Sequence, residues 1–323
     1  MKKKFLAILI SAATALGLAG CDSEPTPYPE NPGNSINPPT SSSAPKSSRP
    51  AEEPDNTSYS PASDFEAAKH LNGVSISKYL GNAAEVFIPK EINGEPVVEI
   101  DRGAFSECLS IKEVKLPDTI TTIDPKAFQG CKQLKSISIP DSVTEMGESA
   151  FANCSSLEKA EIGSGITHID KSLFNMCKKL KAVNIPDNVR TIGDSSFSGC
   201  ESLEEITFGN GVTEINSHAF DGCNSIKQFN IPGNVIKIKD HAFMYCGSLE
   251  TVTISEGLLS LDISAFEYCR NLTSVNIPDS VIEADAGFLF NSRLPETPNV
   301  KFTYKGKTYD GEQINDLCSA ING

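Results

Sequence analysis

Cysteine is where this chain keeps most of its potential chemistry. Of ten cysteines in 323 residues, eight stand at a fixed interval of 23: Cys108, Cys131, Cys154, Cys177, Cys200, Cys223, Cys246 and Cys269. The other two are Cys21 and Cys318. A thiol can ligate a metal, close a disulfide, attack an electrophile or simply fill space. Metal binding needs several ligands converging on one point, and a line of single thiols does not converge. Disulfides suit exported chains, and units stacked at about 4.8 Å would bring neighbouring thiols near bonding distance. Each member would then have two equivalent neighbours, so no pairing is preferred. We read the column as a reduced, buried ladder in which cysteine acts as a small hydrophobe, with no metal and no cofactor. Serine in that ladder would bury a hydroxyl with an unmet hydrogen bond at a cost of roughly 1–3 kcal/mol, so alanine is expected to be the milder replacement. Cys318 reads as a lone, partly buried residue.

Catalytic chemistry finds little support. The four histidines are His70, His168, His218 and His241. No motif ties one of them to a serine or cysteine nucleophile, and there is no glycine-rich phosphate loop, HExxH or calcium loop. Acidic residues are numerous, but carboxylate pairs on a solvated face are ordinary surface charge. The chain is read as a non-enzyme.

Cys21 has a different setting. Lys2, Lys3 and Lys4 precede an uncharged apolar stretch, Phe5 to Gly20, that is short for a membrane span and ends in small residues. Leu18-Ala19-Gly20-Cys21 resembles a bacterial lipobox, which implies a signal peptide over residues 1–20, cleavage before Cys21 and a diacylglycerol (with palmitate as its acyl chain) on the thiol. Cleavage removes three of 28 basic residues and leaves 25 against 42 acidic ones, a net of −17. That field disfavours nucleic acid and anionic surfaces and favours basic partners. Residues 21–63 hold ten of the twenty prolines and few large aliphatic residues. Such a segment cannot offset its ordering entropy by burial and reads as a disordered tether, about 130 Å long when fully extended.

These cysteines need a scaffold, and the same 23-residue step supplies it. Phenylalanine stands three residues before each ladder cysteine, at Phe105, Phe128, Phe151, Phe174, Phe197, Phe220, Phe243 and Phe266. Further apolar columns follow, as at Leu134, Ile139 and Val143 in one unit. Repeats in phase over eight units indicate a solenoid whose inward columns stack into a continuous core. Within a unit, Leu134 to Pro140 alternates like a short half-buried strand. Asp124-Pro125 caps a single helical or 3₁₀ turn carrying Phe128 and Cys131 inward.

The pattern "L..I.IP.SV..IG..AF..C" closely resembles the 23-residue repeats of the BspA-like bacterial surface leucine-rich-repeat family, over about Val86 to Ser292. The resemblance implies a right-handed β/α solenoid of the leucine-rich-repeat type with one short strand per turn, short helical turns and a cell-surface role in adhesion or protein binding, without catalytic residues. Expected domains are an N-terminal cap with a first long repeat over 64–104, repeats over 105–292 and a C-terminal cap over 293–323. Gly81-Asn82 reads as a turn between two strands in the first cap. A hairpin at Lys305-Gly306 and a helix capped by Asp310 and Gln313 form the second. The repeat decays at Leu289 and Ser292.

One candidate binding face remains, the strand's outward side. Lys115, Ser138, Glu161, Asn184, Thr207, Asn230, Thr253 and Asn276 form a polar column there. A second candidate is an aromatic patch of Tyr245 and Tyr268, with Arg270 nearby. The expected product is an exported, lipid-anchored, monomeric surface protein, held to the membrane through Cys21, that binds a protein ligand. A carbohydrate-binding module and a structural envelope spacer stay open as alternatives.

Overall fold

The computed structural model describes residues 59–285 and 300–323. Cys21, the signal stretch, nearly all of the tether, Leu289 and Ser292 lie outside them.

Each 23-residue unit is one coil of a solenoid. Its first strand is three or four residues long: Glu113–Lys115, Ser136–Ser138, Lys159–Glu161, Ala182–Asn184, Glu205–Thr207, Gln228–Ile231, Thr251–Ile254 and Ser274–Asn276. Alternation sets the burial, as expected: Ile137 and Ile139 are buried and Ser138 is exposed. Neighbouring coils pair in parallel with identical register, so Val114 faces Ile137 and Phe229 faces Val252.

Two details differ from the sequence reading. A second strand of two or three residues recurs in each coil, as at Thr122–Ile123, Thr191–Ile192 and Lys237–Ile238, and builds a second parallel sheet. The Phe–Cys segment is not a helical turn, except at Ile263–Phe266, which is a 3₁₀ helix. Elsewhere it is a chain of tight turns whose alternate N–H groups leave the coil. Lys126, Phe128 and Gly130 donate to the carbonyls of Glu148, Ala150 and Ala152 in the next coil, at 2.8–3.0 Å. A helix would spend those donors internally, whereas this ribbon uses them to hold one coil on the next. Positive φ permits it, at Lys126 (65°) and Gly130 (74°). Glycine takes that conformation freely, and Gly130, Gly199 and Gly222 directly before their cysteines were its visible signal.

The core is a stack of identical layers. The eight phenylalanine rings lie nearly parallel with centroids 4.8–5.6 Å apart, an offset stack that aromatic quadrupoles favour. Tyr79 continues the stack at 5.2 Å from Phe105, and Phe65 packs on both rings. At the N-terminal end, Phe65–His70 pairs antiparallel with Gly73–Tyr79, which pairs in parallel with Glu95–Ile100. Gly81-Asn82 therefore links strands of different sheets and not a hairpin. At the other end Lys301–Tyr304 and Lys307–Tyr309 pair as a hairpin, and the capping box of Asp310 with Gln313 precedes the helix Ile314–Asn322. No helix among the described residues is long and apolar enough to cross a membrane.

Candidate functional site

The outward column stands where alternation places it. Seven of its members are exposed and Glu161 is half-buried. Lys115 lies over the Phe87 ring at 4.5 Å, and Glu161 pairs with Lys159 at 2.7 Å. Exposed pairs of this kind contribute little to stability, so the face is a polar platform more than a brace.

That platform is split. Among the described residues, Glu205–Thr207 and Gln228–Ile231 belong to different sheets, although they are successive strands of the same column. Two side chains explain the gap. Phe208 stands where other coils have leucine or isoleucine, and Phe229 where they have valine, isoleucine or alanine. Their rings meet at 5.7 Å, and Phe229 also packs edge-on against Phe243 at 4.3 Å. The added volume wedges the strands apart while the phenylalanine stack beneath stays continuous through Phe197, Phe220 and Phe243. Ile206 is left partly exposed, unlike its counterparts Val183 and Phe229. The result is an open cleft of about 710 Å³ between Glu205, Ile206 and Thr207 on one side and Gln228, Phe229 and Asn230 on the other. Thr207 and Asn230 thus flank a cleft instead of continuing a flat ladder. The signal was legible as Phe208 in an isoleucine column, but a column scored only as apolar hides a change of size.

The second sheet has a comparable break between Glu145–Met146 and His168–Ile169. The structure also brings Tyr245 and Tyr268 together. Their rings stack at 4.6 Å and 9°, with Tyr245 about half exposed. Both residues have positive φ, 55° and 58°, which costs a bulky residue roughly 1–2 kcal/mol. Arg270 is exposed nearby in sequence.

The cysteine ladder has a polar role that the sequence did not reveal. Each thiol from Cys131 to Cys269 donates to the phenylalanine carbonyl of the preceding coil, for example Cys131 to Phe105 at 3.1 Å and Cys177 to Phe151 at 3.2 Å. The cysteine column thus joins adjacent coils. Members 131 to 269 are fully buried and unpaired, while Cys108, in the first regular coil, is only partly buried. Burial pushes the Cys177, Cys200 and Cys223 thiols well above the ordinary range. Cys108 and Cys318 are pushed up to about 11 by the same cause. Column and turn geometry together define a leucine-rich-repeat solenoid.

The comparisons place it further. Residues 98–223 and 167–295 match the BspA type leucine-rich-repeat region, in six copies, and the chain belongs to that family. A leucine-rich cell surface protein from Faecalibacterium prausnitzii A2-165 is 28% identical with a TM-score of 0.59, covering 72% of this chain and 74% of that one. A leucine-rich-repeat protein of T. pallidum is 27% identical with a TM-score of 0.39, covering 67% and 80%. No curated protein matches the chain in sequence.

Proposed function

We propose that this chain is a non-catalytic surface lipoprotein that binds a protein through the strand face of its solenoid, at the cleft between Thr207 and Asn230. The single observation behind this reading is the split in the sheet. A regular repeat leaves a flat, fully paired ladder, whereas two oversized side chains open a recess here with the unpaired edges of two strands on its walls. Exposed strand edges pair readily with an extended segment of another chain. Ile206 and Phe229 offer apolar contact within a polar rim, as protein interfaces do. The acidic balance of the chain favours a basic partner. Its cell-surface relative from Faecalibacterium prausnitzii supports the location.

Anchoring rests on the Leu18 to Cys21 motif. In this reading residues 1–20 are removed, Cys21 carries diacylglycerol, and residues 21–63 hold the solenoid off the membrane. The caps at 64–104 and 293–323 close the repeats of 105–292.

A photo-crosslinking residue at Asn230 tests the binding site against one at Lys126, on the turn side. A protein adduct on intact cells from position 230 and none from 126 is the expected result. Equal adducts from both positions would remove the site, and retention on a glycan array with no protein adduct would favour the carbohydrate alternative. Cys21→Ala should abolish lipid labelling and release the chain from membranes. Unchanged labelling would end the lipoprotein reading.

A further inference from the structure

On the turn side, two consecutive coils carry histidine at the same repeat position, His218 and His241, where the coils from 126 to 195 carry lysine or serine. Both have positive φ, 57° and 55°, and their rings stack at 4.8 Å and 7°. Three carboxylates surround them. Asp221 Oδ2 lies 3.2 Å from His218 Nδ1, Asp240 Oδ2 lies 3.1 Å from His241 Nδ1, and Glu267 Oε2 lies 3.5 Å from His241 Nε2. The Ser217 hydroxyl donates to the other oxygen of Asp240, and the backbone N–H of His218 donates to the Asp240 carbonyl at 3.2 Å. Glu267 is more than nine-tenths buried, and its Oε2 accepts no hydrogen bond.

The protons in this cluster do not balance. A neutral imidazole has one N–H and one lone pair. If His241 gives its proton to Glu267, the Nδ1 lone pair faces Asp240 Oδ2 at 3.1 Å with nothing between two acceptors. If it gives the proton to Asp240, the buried Glu267 oxygen faces a lone pair instead. Either arrangement leaves one carboxylate oxygen facing a lone pair, a gap that a cation bound at Nδ1 would fill.

We propose that His218, His241 and Asp240 form a binding site for one divalent first-row transition ion such as Zn²⁺, with Asp221 and Glu267 as carboxylates that orient the two imidazoles. One ligand atom from each of the three lies within 4.8 Å of the others. Ligands around a tetrahedral zinc at 2.0–2.1 Å stand about 3.3 Å apart, so capture requires the widest separation to contract by up to about 1.5 Å, while Asp240 and His241 already stand at 3.1 Å. The stacked rings must also swing apart, because one ion cannot lie in two parallel ring planes. Both side chains are partly exposed, 39% for His218 and 22% for His241, and free to do so. Two imidazoles with carboxylate suit zinc, copper or nickel better than calcium or magnesium, and carboxylates on the far ring nitrogens are the usual support for histidine ligands. Such a site would depart from the sequence expectation of no metal, which weighed the cysteine column and the local metal motifs and not residues brought together from neighbouring coils.

Zinc titration of the full chain at pH 7.5, read by calorimetry and by elemental analysis after dialysis, tests the proposal. One equivalent should bind. His218→Ala and His241→Ala should each abolish stoichiometric uptake, Ser217→Ala should weaken it about tenfold, and His168→Ala and Cys318→Ala should leave it unchanged. Nitrogen-15 imidazole spectra of the unmutated chain supply a second readout that needs no variant. Zinc should move the resonances of His218 and His241 and not those of His70 and His168. Uptake that persists without both histidines would place the metal on thiols and overturn the assignment. Absence of stoichiometric binding would overturn it too, as would an imidazolium His241 that zinc does not perturb.

Discussion

Replacing Cys177 separates two accounts of the ladder. If cysteine only fills space, serine buries an unpartnered hydroxyl and costs more than alanine. The structure argues otherwise, because the Phe151 carbonyl already receives the thiol at 3.2 Å. Alanine removes one buried heavy atom, worth about 1 kcal/mol by analogy with a methylene, leaves a small cavity and forfeits one weak hydrogen bond. A total near 1.5–2.5 kcal/mol follows from the cavity series and ordinary hydrogen-bond values. The Phe151 carbonyl is not orphaned, since the Cys154 N–H still reaches it at 3.3 Å. Serine loses the same apolar contact but keeps a donor. Its hydroxyl bond prefers about 2.7–2.8 Å, so the side chain must close several tenths of an ångström. Cys177→Ser should therefore fall within about 1 kcal/mol of Cys177→Ala, contrary to the expectation from sequence. Urea unfolding followed by circular dichroism gives both values. A serine variant less stable than the alanine variant by more than about 1.5 kcal/mol would refute the carbonyl's role, since the lost transfer term is common to both.

Four other outcomes follow from the same packing. Phe174→Ala breaks two ring stacks at 5.6 Å and should cost about 3–5 kcal/mol, against about 0.5 kcal/mol or less for the exposed Ser138→Ala; equal urea midpoints would mean that inward and outward columns are misassigned. Gly211→Ala places a Cβ 2.0 Å from the Asp187 carbonyl oxygen, so its melting midpoint should drop by several degrees, and an unchanged midpoint would show that the coils separate freely there. Native alkylation should reach only Cys108 and Cys318 among the described cysteines, slowly and with a rate that rises toward pH 11, as their raised values require; rapid labelling of Cys177 would contradict its burial. Because burial holds the Glu267 carboxyl above its ordinary range, its stabilising protonation is complete below about pH 4.3 and is lost as pH climbs through the raised folded value; Glu267→Gln in EDTA should flatten that decline and melt higher at pH 7.5, and a lower midpoint there would reverse the sign.

How much the sequence disclosed depends on the kind of feature. Phe128, Cys131, Leu134, Ile139 and Val143 were legible as inward because each repeats at one position, and repetition reports burial directly. Ser138 and its outward neighbours followed from alternation in the same strand. The second strand at Thr122–Ile123 escaped because two residues carry no period. The thiol-to-carbonyl bonds escaped because they join residues 26 apart, a relation fixed by how one coil sits on the next. His218 and His241 share one repeat position in the sequence, but that position gained meaning only when Asp240 and Glu267 were brought beside them.

Departures from the repeat are not spread evenly. Phe208 and Phe229 open the strand side, His218 and His241 with Glu267 gather charge on the turn side, and Tyr245 and Tyr268 stack at the next position along. All six of these side chains fall between residues 208 and 268, while the corresponding positions in the coils from 113 to 200 hold no aromatic or imidazole group. A repeat gains nothing in stability from such exceptions. A split sheet forfeits ladder hydrogen bonds, a buried carboxylate costs desolvation, and tyrosine at positive φ is strained. Sequences tend to keep locally unfavourable choices where function requires them. The second sheet also breaks between Glu145–Met146 and His168–Ile169, but the aromatic and imidazole departures cluster in consecutive coils, which favours one working region in this solenoid over a binding surface spread along its length and makes coils 197 to 269 the segment whose exchange for coils 105 to 177 should remove binding while leaving the fold intact.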